Sequence, residues 1–122
     1  MPESTAAVQT ALHYFTALTA GNLSKAMSYV ADDIVCDTQG RRVSGSRAYR
    51  QFISQCLPAI RGATLVASCG NDTTAVLIYD LTSPARLRCR GADRLVVDRN
   101  KIVNIVTVVD RVPYQPYAMP NS

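Results

Sequence analysis

The chain has 122 residues, 48% of them hydrophobic, and a formal net charge of +4, which suits one domain built around one core. No apolar run approaches the roughly 20 residues of a membrane span, and the N-terminus lacks the basic and apolar regions of a secretory signal. The four cysteines are scattered without a CxxC pair, so the expectation is a cytoplasmic protein whose thiols stay reduced and pack as small hydrophobes.

Residues 4–19 read as a helix, because Val8, Ala11, Leu12, Phe15 and Leu18 recur at helical spacing. Gly21 stands where a helix ends, and Tyr14 lies at the margin of the apolar stripe. Asn22 predicts the cap of a second, short helix with Leu23, Ala26, Met27 and Val30 as its buried face, closed by Asp32-Asp33. A short strand, Ile34 to Asp37, and a polar turn at Gly40 follow. Ser46 caps a third helix whose apolar side is Ala48, Tyr49, Phe52, Ile53 and Cys56, and Pro58 stops it. The second half reads as strands at 63–69, 73–81, 86–98 and 102–110, joined by Gly-, Pro- and Asn-containing turns. Helices followed by an antiparallel meander give the α+β class. The expectation is three N-terminal helices packed on a curved, mainly antiparallel sheet, with a cone-shaped apolar cavity between the layers. Residues 1–112 form the single domain, and the Pro-rich 113–122 form an extended or disordered tail.

Asp93 breaks the pattern of its strand. In 86–98 the even positions carry Arg86, Arg88, Arg90 and Arg94, and the odd positions carry Leu87, Cys89, Gly91, Leu95 and Val97. Alternate side chains point to opposite faces, so Asp93 is the one charged group on the apolar face. A carboxylate there is costly unless paired or protonated. Burial raises its pKa, and a neutral carboxyl donates a hydrogen bond. The competing reading is an Asp satisfied by local hydrogen bonds, or a bulge beside Gly91.

The basic residues gather at Arg41, Arg42, Arg47 and Arg50, and at Arg86, Arg88, Arg90 and Arg94. Aromatic side chains do not interleave with the strand arginines, which argues against a nucleic-acid platform and for a solvated sheet edge or a contact between two copies. His13 is the only histidine, and with no ligand spacing a metal site is not expected. It reads as a helix-surface residue.

The stretch from Tyr14 to Phe52, YFTALTAGNLSKAMSYVADDIVCDTQGRRVSGSRAYRQF, and the later GADRLVVDRNKIVNIVTVVD resemble the NTF2-like superfamily, in particular its SnoaL-like and ketosteroid isomerase branches. The resemblance implies the cone fold, a homodimer, and a small apolar, steroid-like or polyketide-like substrate handled without a cofactor. It also implies a Tyr/Asp oxyanion hole built from Tyr14 and Asp93, with Tyr29, Tyr49, Phe52 and Cys56 lining the pocket. The family's catalytic base falls at Thr38, with Asp37 one position earlier, so Asp37 serves only if the strand slips by a residue. Asp80, taken in phase with Val76 and Ile78, and Asp110, in phase with Val106 and Val108, are the further acids. These sit where related cyclases and epoxide hydrolases carry theirs, although Ile78 occupies the position of the epoxide hydrolase arginine. The functions implied are double-bond isomerisation, then cyclisation or epoxide opening, or a non-catalytic binding or dimerisation module.

Overall fold

A computed structural model describes residues 5–82 and 88–110. Helix α1 (Ala6–Thr19) and the short α2 (Leu23–Met27) lead into strand β1 (Val30–Thr38), the short β2 (Arg41–Ser44) and helix α3 (Ser46–Ile60). Four strands complete the fold: β3 (Thr64–Gly70), β4 (Thr74–Thr82), β5 (Arg88–Asp98) and β6 (Lys101–Val109). All six strands form one sheet in the order β2-β1-β6-β5-β4-β3. The β1–β6 pair is parallel, and every other neighbouring pair is antiparallel. The sheet is therefore mixed, and the β1–β2 hairpin separates α3 from the other two helices.

The α1–α2 junction forms as its sequence dictates. Gly21 adopts φ 78°, its N–H bonds to the Leu18 carbonyl, and the Asn22 N–H bonds to the Ala17 carbonyl. This is the pairing that closes a helix on a left-handed glycine. The Asn22 side chain then accepts the Lys25 N–H and caps α2.

Several local expectations need correction. α2 ends at Met27 and β1 starts at Val30, so Val30 is a strand residue paired with Ile102. Asp32 and Asp33 lie exposed where the β1 register shifts. Gly45, not Ser46, occupies the α3 cap position, and the helix runs through Pro58 to Ile60. Pro58 is exposed in the last turns, where its missing N–H costs one peripheral bond. The sequence reading places only a polar turn at Gly40 before the third helix, whereas residues 41–44 form the short strand β2. The β5 irregularity falls between Val96 and Val97, not at Gly91. The turn at 83–87, Arg86, and the tail from 111 lie outside the described residues.

The core forms where the helices cover one sheet face. Ala7, Ala11, Phe15 and Leu18 of α1 are buried with Leu77 of β4, Leu95 of β5, and Ile102 and Ile105 of β6. Gaps in this packing, near the Thr38 end of β1, leave the cavity described next.

Candidate functional site

One row of paired residues crosses the helix-covered face. Thr38 on β1 pairs with Thr107 on β6, which pairs with Asp93 on β5, which pairs with Leu77 on β4. Asp93 thus lies on the inner face and is part-buried. Its Oδ1 accepts the Tyr79 hydroxyl at 2.8 Å and the Thr107 hydroxyl at 2.9 Å. Its Oδ2 makes no hydrogen bond among the described residues.

Tyr79 reaches Asp93 because of Gly91, its cross-strand partner. A Cβ at position 91 would lie 2.5 Å from the Tyr79 Cε1. The missing side chain lets the ring lie across β5 and aim its hydroxyl one residue pair along. Phe15 packs against the same ring with centroids 5.4 Å apart.

The helices supply a second polar pair. Tyr14 of α1 and Tyr49 of α3 are each 2% exposed, and their hydroxyls hydrogen-bond to one another. Two hydroxyls sharing one hydrogen bond retain one proton for a further acceptor.

Both groups border a cavity of about 350 Å³ between α1, α3 and the sheet, large enough for a small molecule. Phe52, Ile53, Cys56 and Leu81 supply apolar wall, and Cys36, Thr38 and Arg41 also reach it. Burial pushes the Asp93 carboxyl above the ordinary range, with the Tyr79 and Thr107 hydrogen bonds pulling it partly back. Burial likewise raises Tyr14, Tyr49 and Tyr79. The Cys36 thiol is pushed up to about 12 by burial and then by the Asp93 charge. Burial raises Cys56 as well, against an opposing pull from Arg41. The phenols and these two thiols are therefore neutral near pH 7, and neither thiol offers a thiolate nucleophile.

The structure separates the expected site residues. Tyr14, Asp93, Tyr49, Phe52 and Cys56 border one cavity. Asp37 does not: the β1 irregularity lies upstream, between Val30 and Val35, and from Val35 to Thr38 the pairing is regular, so Asp37 points to the outer face and its Oδ1 lies 2.8 Å from the Arg42 Nε. Asp80 is also on the outer face, 2.7 Å from the Arg90 Nε, because Ala75, Leu77 and Tyr79 are the buried set of β4. Asp110 is exposed and lies beside Asp80, Arg88 and Arg90 at a separate surface depression. Tyr29 sits on the far side of α1, its ring 5.9 Å from His13. The sequence pattern does not single out Tyr79, Thr107, Gly91 or Arg41 as site residues. The alternation Ala75, Leu77, Tyr79, Leu81 was the available signal for Tyr79.

Residues 11–105 match the family model of the SnoaL-like domain. The chain is similar to a structurally characterised protein from Kribbella flavida DSM 17836, with 33% identity, 93% of each chain covered and a TM-score of 0.86. A steroid delta-isomerase from Pseudomonas aeruginosa shares the fold at 14% identity, covering 92% of this chain and 85% of that one, with a TM-score of 0.76. An NTF2-like protein from Mesorhizobium loti does so at 15% identity, with 90% and 97% covered and a TM-score of 0.79. No curated protein matches the sequence.

Proposed function

The chain belongs to the SnoaL-like domain family and has the NTF2-like fold, and on that footing we propose that it is a cofactor-independent enzyme moving a proton on a small apolar carbonyl compound. One observation carries this reading. Asp93 is the single carboxyl lining the cavity among the described residues, and one of its oxygens is held while the other is unbonded.

The two protonation states of Asp93 divide the possible mechanisms. As a neutral donor beside Tyr14 it would complete a Tyr/Asp oxyanion hole, but that scheme needs a separate base. Thr38 occupies the base position on the inner face, and Asp37 faces away. As a carboxylate, Asp93 is itself the base, and its raised pKa strengthens it for that role. Oδ2 takes a proton from the carbon next to the carbonyl, and the electron pair moves onto oxygen. The Tyr14–Tyr49 pair donates its remaining proton as a hydrogen bond to that oxygen, in a site with little water to compete. Protonated Asp93 then returns its proton to the same carbon or to one further along a conjugated system. Return to the further carbon is a double-bond isomerisation. The same acid delivering its proton during ring closure gives a cyclase, while epoxide opening through Asp80 and Asp110 is disfavoured by their position outside the cavity.

The test is solvent-deuterium exchange into a panel of β,γ-unsaturated ketones, followed by NMR. The parent protein should accelerate exchange, and Asp93→Asn should lower the rate by roughly 100-fold or more. Acceleration that survives Asp93→Asn would remove Asp93 as the base, and none across the panel would discard the enzyme and leave a binding module.

A further inference from the structure

The β1–β2 hairpin closes in two residues, Gln39 and Gly40, with φ of 38° and 90°, the positive pair of a type I′ turn. So short a closure fixes the register: Thr38 pairs with Arg41, and Asp37 pairs with Arg42. Residues directly paired across strands share a face. Arg42 therefore emerges on the outer face, where Asp37 neutralises it. Arg41 emerges on the inner face, at the cavity. Its guanidinium carbon lies 5.2 Å from the centre of the Phe52 ring, and no carboxylate among the described residues pairs with it.

We propose that Arg41 is an anion-recognition residue, and that the substrate is an amphiphile with an apolar body in the cavity and a carboxylate held at Arg41. This deepens the functional reading above and rests on the cavity being the substrate site. A guanidinium stacked on an aromatic ring keeps its planar fork of donors free for a carboxylate. The apolar wall beside it weakens competition from water. The row gives the distance. Arg41, Thr38, Thr107 and Asp93 stand on four adjacent strands, so at roughly 4.8 Å per strand the outer two Cα atoms are roughly 14 Å apart. That backbone separation suits a rigid body whose acid is remote from the reacting carbon.

Two probes of one shape test the assignment: 4′-hydroxybiphenyl-4-carboxylate and the corresponding carboxamide, titrated by calorimetry against the parent, Arg41→Gln, Arg41→Lys and Asp93→Asn. The parent should bind the acid about tenfold more tightly than the amide. That ratio should shrink as salt is added, fall to near one in Arg41→Gln, and recover in part in Arg41→Lys. A ratio near one in the parent, or one preserved in Arg41→Gln, overturns the proposal. If the amide still binds in those cases and Asp93→Asn weakens it, the cavity remains the substrate site and only the charge assignment fails. If neither probe binds, both readings fall.

Discussion

The sheet has two faces, and each treats an aspartate in its own way. On the outer face Asp37 and Asp80 lie within reach of Arg42 and Arg90, in contact with water. On the inner face Asp93 has only neutral partners, the Tyr79 and Thr107 hydroxyls. Arg90 holds Asp80 below the ordinary carboxylate range, while burial holds Asp93 above it. Asp80 and Asp93, on neighbouring strands, thus differ in titration because one is paired in the open and the other is desolvated. Partner type, more than residue type, decides which aspartate is available for proton transfer.

The largest way to break this difference in stability is Gly91→Ala. A Cβ there meets the Tyr79 ring at 2.5 Å, so the ring must leave and the Asp93 Oδ1 loses a donor. Chemical denaturation should show a loss of about 1–3 kcal/mol. Pairing it with Tyr79→Leu should cost less than the sum of the two single changes, since both act at one contact.

Next comes the pH dependence. A carboxyl whose folded-state pKa is raised keeps its proton longer when folded. Asp93 therefore contributes stability that is full below the unfolded pKa, about 4, and is lost as pH rises through its folded value. Asp80 has the opposite sign: its contribution is present above the unfolded pKa and fades as pH falls through its lowered one. Thermal midpoints of the parent and Asp93→Asn should accordingly diverge as pH rises from 4 toward 8, with the variant gaining relative to the parent. Parallel curves would mean that Asp93 is solvated like its outer counterparts.

The smallest effect belongs to the outer pairs. Their arginine side chains are 70% and 61% exposed, and exposed ion pairs contribute little. Asp37→Asn and Asp80→Asn should each leave the denaturation midpoint within experimental scatter at moderate salt. A clear loss would show that the outer face is covered by something that excludes water.

The contrast also explains what the sequence disclosed. Asp93 was legible because its strand is lopsided, with arginines on one face and apolar residues on the other. β4 is not lopsided: Val76 and Ile78 alternate with Ala75, Leu77, Tyr79 and Leu81, and both sets are apolar. Periodicity cannot say which set the helices cover, so it is equally compatible with Asp80 or Tyr79 facing inward, and the structure turns Tyr79 in. Asp37 was ambiguous for a related reason. One residue decides a face, and the register of β1 comes from its pairing with β2 and β6. β2 itself, reading RRVS, carries too few apolar residues to announce a strand. The overall α+β plan needed only the coarse order of helical and alternating segments, and that order survived every local shift.

The two-residue turn at Gln39 and Gly40 also ties this pocket to an exact loop length. A single codon gained or lost there, if taken up as a shift of β2 against β1, would exchange the faces of Arg41 and Arg42. The pocket's cation would turn outward and a formerly paired one would turn in. The same shift would turn the buried Val43 outward, so heredity can alter the length of this loop only by disturbing the core along with the cavity rim.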